Sequence, residues 1–228
     1  MEAGRLKQYL RDLDRRRAAT SEERRYSIAV SRECFAYGNS TCQELSKRLG
    51  WPVYGYNLLE IVANEMQVSK AAIAAMDEEG QQWMTDMMRI FEGRPDQSAF
   101  VVHWKEVLGR LARDGRAIFL GRGTSVLMPP ETCLRVRIVA DLDLRIKRCM
   151  ERLSLDRRKA TKKVQQTDEQ RAAFVRHFFH IDVADPHNYD MVLSSDGCTP
   201  TQCADAVFAV AQSRWPDFAG TKTRRSTV

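Results

Sequence analysis

Residues 26–50 read YSIAVSRECFAYGNSTCQELSKRLG, and how this stretch divides decides the fold. Ser27, Ile28, Ala29 and Val30 make a short, mostly apolar run with two β-branched members, which suits a strand buried on both faces. Gly38-Asn39-Ser40-Thr41 follows within a few residues and supplies a flexible point with small polar side chains. A helical pattern then sets Leu45 and Leu49 on one face, and Gly50 stands where a helix usually ends. Strand, small-residue loop and helix is the layout that aims backbone N–H groups and a helix N-terminus at a phosphate. A complete phosphate loop reads G-x-x-x-x-G-K-[ST]. This one has a single glycine and no lysine at the matching place, so an ordinary strand-to-helix connection fits the stretch equally well.

The totals narrow the class. At 228 residues, 43% hydrophobic and 29% charged, the chain has material for one sizeable domain with its own core. No run approaches the roughly 18 apolar residues of a membrane span, and the N-terminus has no apolar h-region. A cytoplasmic protein without a membrane span is expected. The net charge of +6 is confined to the ends: residues 1–25 sum to +3, residues 214–228 to +3, and the body to zero. A neutral body argues against a specific nucleic-acid-binding core. The six cysteines form no C-x-x-C pair and the four histidines do not join them at zinc spacing, so no metal-ligating set is expected and the cysteines read as small buried hydrophobes.

Taken in order, residues 4–17 place Leu6, Tyr9, Leu10 and Leu13 at helical spacing, an amphipathic extension over 1–25 suited to packing on the domain or on a partner protein. Trp51-Pro52-Val53-Tyr54 is a short strand-like piece, and 58–113 is almost wholly helical. Ala117-Ile118-Phe119-Leu120 is the next buried strand and ends in Gly121-Arg122-Gly123-Thr124. In open α/β sheets ligands sit at the carboxyl ends of strands, which is where Arg122 falls. Leu134–Ala140 is a further strand. Asp141 caps the helix after it, with Leu142, Ile146, Cys149 and Leu153 expected inward. Residues 155–179 form a long, polar, arginine- and lysine-rich helical stretch. It reads either as a solvated arm or as a cationic lid over phosphates, since phosphoryl transfer relies on positioning and charge neutralisation. Met191-Val192-Leu193 is a last strand, Thr199-Pro200 opens a final helix to about Ser213, and 214–228 is a basic flexible tail.

Strands alternating with helices give a doubly wound parallel α/β sheet of about five strands. From about Ser27 to Ala211 the order of features resembles the cytidylate kinase-like family of P-loop NTPases, relatives of nucleoside monophosphate kinases. The resemblance rests on Ser31-Arg32-Glu33, Leu49-Gly50 before Pro52-Val53-Tyr54, and Leu120-Gly121-Arg122-Gly123. It continues through Leu134–Val139, Arg171-Ala172-Ala173-Phe174, Phe178-Phe179 and Asp185-Pro186 with Tyr189-Asp190.

The resemblance implies a P-loop domain over 26–213, with a helical NMP-binding insertion at about 56–113 and a helical lid at about 154–179. It implies ATP and Mg²⁺, with transfer of the γ-phosphoryl group to CMP or a related monophosphate. Gly38, Asn39, Ser40 and Thr41 would contact phosphate or metal. Arg122, Asp168 and Arg171 would hold the acceptor, and Arg171 and Arg176 would stabilise the transferring group. Nucleotides are then the partners expected. Two departures stand out. The family's G-S-G-G after S-R-E-Y is Phe35-Ala36-Tyr37-Gly38 in this chain, and the acidic residue expected after the second strand is Gly55. Bulky residues resist the close backbone approach that glycine permits. The alternative is an inactive nucleotide-binding or scaffold protein that keeps the kinase fold.

Overall fold

Ser27–Arg32 forms β1, the middle strand of a sheet, and its position accounts for its composition: Ile28, Ala29 and Val30 are all fully buried. The computed structural model describes residues 26–55, 58, 61, 62 and 97–218. β2 (Val53–Tyr54), β3 (Ala117–Leu120), β4 (Cys133–Val139) and β5 (Met191–Ser194) complete the sheet in the order β2-β3-β1-β4-β5. Every pairing is parallel, with Ala29 opposite Phe119 on one side and Arg135 on the other. Helices α1 (Gly38–Leu49), α2 (Gln97–Asp114), α3 (Thr124–Leu127), α4 (Leu142–Leu153), α5 (Arg157–Phe179) and α6 (Pro200–Arg214) connect and cover it.

Side chains alternate across a strand, so the sheet has two apolar faces. Ile28, Val30, Ile118, Leu134, Val136 and Ile138 meet α1 through Cys42 and Leu45, and α6 through Ala204, Val207 and Ala211. On the opposite face Ala29 and Phe119 join Trp104, Leu108 and Leu111 of α2 with Phe174, Val175 and Phe178 of α5. A third, smaller cluster fastens Cys34 to Ile146 and Cys149 of α4 and to Ala160 and Val164 of α5. Both halves of α5 are therefore packed. Lifting its C-terminal half would expose Phe174, Val175 and Phe178 at about 1.5–3 kcal/mol each, so α5 is a docked helix and not a loosely hinged arm.

The caps agree with the residues. Asp141 accepts from the Leu144 N–H, and Asp156 from that of Lys159. Thr199 and Gln202 form a reciprocal capping box, and Gly50 ends α1 at φ 68°. Two expectations need correction. Leu142 and Leu153 are not inward: they are 38% and 37% exposed, whereas Arg145 is 7% exposed. The face of α4 that turns in meets the polar end of β1, and Ile146 and Cys149, with Met150 partly buried beside them, are the residues that reach apolar neighbours. The start of the expected flexible tail is also packed. Trp215 stacks on Tyr26 at 4.6 Å between ring centroids, and Phe218 meets Trp51 edge-on at 4.8 Å. The extension over 1–25, the tail beyond 218 and most of the insertion between 56 and 96 lie outside the described residues. Among the described residues no helix is long and apolar enough to cross a membrane.

Candidate functional site

At the carboxyl end of β1 the chain turns through Glu33–Tyr37 before Gly38 opens α1. Phe35 and Tyr37 take φ values of 60° and 64°. This left-handed region suits glycine and costs other residues about 1–2 kcal/mol each. The loop thus follows a glycine-type path with aromatic residues. Several bonds hold it there. The Cys34 N–H donates to Asp168 Oδ1 at 2.6 Å. Arg148 Nη1 donates to the Phe35 carbonyl at 3.2 Å, and the Arg148 guanidinium lies 3.7 Å from the Tyr37 ring centroid. Arg148 also donates to Ser195 Oγ at 3.1 Å and to the Ser195 carbonyl at 2.7 Å, tying the loop to the end of β5. The N–H groups of Gly38, Asn39 and Ser40 precede the first helical bond, from the Thr41 N–H to the Tyr37 carbonyl, and have no acceptor among the described residues.

Two cavities open on this edge of the sheet. One, of about 560 Å³, lies over the loop and is lined by Phe35, Tyr37, Gly38, Asn39 and Ser40, with Arg148, Arg152 and Lys163 as cations. The other, of about 440 Å³, lies beside the β3 end and is lined by Arg32, Arg122, Arg137, Arg176 and Tyr189. Glu33 and Arg171 line both, so the cavities meet there. Each has the charge to receive an anion.

Around that junction runs a network that residue types alone do not reveal. Arg145, nearly buried, donates through Nε to the Ala140 carbonyl at 2.9 Å and through Nη1 to Asp168 Oδ2. Its Nε lies 3.4 Å from Glu33 Oε2, and Arg137 Nη2 lies 3.6 Å from Glu33 Oε1. Glu33 also accepts from the Ala140 N–H at 3.1 Å. α4, α5 and the β1 loop are thereby clamped on one buried guanidinium.

The expected site residues divide accordingly. Gly38, Asn39 and Ser40 line the larger cavity, whereas Thr41 is fully buried on the inner face of α1 and lines neither. Arg122, at φ 59° and 8% exposed, lines the smaller cavity with Asp168, Arg171 and Arg176. Arg171 is half-buried and makes no hydrogen bond or ion pair with any described residue. Asp168 differs, because both of its carboxylate oxygens are engaged, by the Cys34 N–H and Arg145. Glu33, Arg145 and Arg148 were not anticipated. The available signal was the i, i+3 spacing of Arg145 and Arg148, which puts both on one side of a helix following a central strand.

Burial pushes the Cys34 thiol up despite Arg171 beside it, and pushes Cys42 and Cys133 to about 12, so these cysteines are packing groups and not thiolate nucleophiles. Among the described residues no three His, Cys, Asp or Glu groups form a metal cage. Magnesium that travels with a nucleotide needs only one or two protein oxygens beside phosphate and water. The Ser40 hydroxyl and the Glu33 carboxylate on the larger cavity meet that requirement.

The model of the cytidylate kinase-like family matches residues 27–197. A search of curated proteins returns no match. Among solved structures, an uncharacterized protein from Eubacterium ventriosum ATCC 27560 is similar at TM-score 0.63 and 17% identity, over 83% of this chain and 99% of that one. Shikimate kinase from Bacteroides thetaiotaomicron gives TM-score 0.46 and 12% identity, over 82% and 97%. TT1252 from Thermus thermophilus gives 0.46 and 17%, over 82% and 98%. At 17% identity the likeness to the Eubacterium ventriosum protein concerns the fold alone.

Proposed function

We propose a phosphoryl transfer as the work of this chain, which belongs to the cytidylate kinase-like family. ATP occupies the larger cavity with its phosphates on the loop. CMP or a related monophosphate occupies the smaller one, and the γ-phosphoryl group crosses between them. The observation that carries this reading is the meeting of two cationic cavities at Glu33 and Arg171. A transfer between two nucleotides needs two anion sites side by side, because catalysis here is mainly positioning and charge neutralisation.

The roles follow from placement. The N–H groups of Gly38, Asn39 and Ser40 cradle donor phosphate. Arg122 binds the acceptor, with Asp168 at the edge of that cavity. Arg171, facing both cavities, neutralises charge on the group in flight, and Arg176 assists from the exposed rim. Mg²⁺ bound with ATP supplies charge neutralisation at the phosphates, and Ser40 and Glu33 are the side chains placed to hold it.

The alternative of a nucleotide-binding scaffold without turnover draws on Asn39. It stands where the motif has serine or threonine, and its Oδ1 is occupied by Arg32. Coupled-enzyme turnover with ATP and a panel of nucleoside monophosphates separates the two. The expected result is ADP release that depends on a pyrimidine monophosphate. ATP binding without turnover on any acceptor would favour the scaffold.

A further inference from the structure

The motif G-x-x-x-x-G-K-[ST] puts lysine where this chain has Gly38, and six residues earlier its first glycine falls on Arg32, the last residue of β1. Cation and glycine have exchanged places. The structure shows why the two changes occur together. Arg32 is 8% exposed, and its stem runs directly across Gly38. A Cβ at position 38 would lie 2.6 Å from Arg32 Cγ and nearer still to its Cβ. Farther out, the guanidinium passes Gly121 at the end of β3, where a Cβ would run into Nη1. Nε donates to Asn39 Oδ1 at 3.1 Å, so the residue in the motif's serine or threonine place steers the arginine. The side chain then lines the smaller cavity, next in the chain to Glu33, which lines both.

We infer that Arg32 is the phosphate-binding cation of this loop, delivered from the strand instead of the helix, and that it meets the terminal phosphate of a nucleoside triphosphate from the side of the smaller cavity. Gly38 and Gly121 lack side chains because Arg32 fills the space that their Cβ atoms would need. The exchange keeps one cation in the loop and changes its chemistry. A lysine is a point charge, whereas a guanidinium is planar and bonds two phosphate oxygens at once. Asn39 pre-orients that plane before ligand arrives.

This inference rests on the larger cavity being a phosphoryl-donor site. The test titrates ATP calorimetrically, and adenosine by saturation-transfer NMR, into the full chain and four variants, each first checked for a native melting transition. Arg32→Gln keeps the stem and a donor for Asn39 while removing the charge. Its ATP affinity is expected to fall about ten- to hundredfold, as for one lost charge-assisted contact, with adenosine affinity unchanged. Arg32→Gly alone and Gly38→Lys alone are each expected to weaken ATP binding, the second by collision with Arg32. The double variant Arg32→Gly/Gly38→Lys is expected to recover most of it. Arg32→Gln binding ATP as the native chain does, or a double variant no better than either single, overturns the inference and leaves the donor site standing. Variants that respond as expected in a chain that phosphorylates no monophosphate overturn the proposed function and leave Arg32 in its role. A native chain that binds no ATP overturns both.

Discussion

Asp168 is the residue whose expected and observed surroundings differ most, and its conservative replacement separates two roles. In Asp168→Asn the side-chain shape is kept and the charge is lost. One oxygen still accepts from the Cys34 N–H, but as a neutral bond in place of a charge-assisted one. The amide group then faces Arg145, donor against donor, and Arg145 is left with Glu33 at 3.4 Å and the Ala140 carbonyl. Hydrogen bonds to charged groups are worth about 1.5–3 kcal/mol each, and neutral ones about 1. Asp168 is 27% exposed at its side chain, which moderates the loss. A net destabilisation of about 2–3 kcal/mol is expected, which in a domain of this size lowers Tm by about 4–12 °C. Circular dichroism melting of both proteins measures it. ATP affinity should fall as well, because the loop loses the tether at Cys34. A variant that melts within about 1 °C of the native protein, well below that expected shift, and loses only acceptor affinity would refute the clamp and restore Asp168 as a simple acceptor contact.

Arg122→Ala should lower acceptor affinity about ten- to hundredfold, the worth of one charge-assisted contact, while ATP binding measured by calorimetry stays near the native value. Arg148→Lys keeps the charge but loses the planar fork that bonds Phe35 and Ser195 and covers Tyr37. Faster proteolysis of the 33–38 loop and weaker ATP binding are expected together, and an unchanged cleavage rate would count against Arg148 as the loop's anchor. Burial raises the Asp190 pKa, but the bonds from Arg135, with Arg214 behind them, more than reverse this and hold it below the usual carboxylate range. A depressed folded-state pKa gives stability that is fully present above the ordinary aspartate value of about 3.9 and lost as pH falls through the folded one. Melting temperature should therefore drop less steeply below about pH 4 in Asp190→Asn than in the native chain.

The strands were legible because each central one is a short apolar run bounded by turn residues: Ile28–Val30 and Ala117–Leu120 announce themselves by composition. Caps were legible for the same local reason, as Asp141, Thr199 and Gly50 show. From residue types and spacing the candidate site was legible where it follows a strand end, at Gly38–Ser40 and Arg122, while Asp168, Arg171 and Arg176 were expected through the family resemblance. Thr41 could not be separated from its neighbours by type, since a helix's first turn has one face to the ligand and one to the core. Arg145 and Arg148 looked like two more cations on a polar helix. Apart from the Ala140 carbonyl, their partners lie 23 to 113 residues away in the chain, so only the folded arrangement pairs them. Phe35 and Tyr37 were legible as departures from glycine, but not as residues that nevertheless adopt its backbone, because the support comes from Arg148 and Asp168.

α5 is one unbroken rod of 23 residues. Near its middle Asp168 grips the turn that would receive the donor, and less than one turn later Arg171 looks into the neighbouring chamber. Neither end of the rod can tilt alone, since each is seated in its own apolar bed. A molecule that settles against Arg171 and Arg176 therefore restrains the same lever that shapes the donor's seat. Linkage runs equally in both directions: whatever the occupant of one chamber adds to affinity in the other is returned by the same factor. On the proposed function, a rod of this kind would favour both chambers being filled together over one filled alone, in which water would be the only acceptor present.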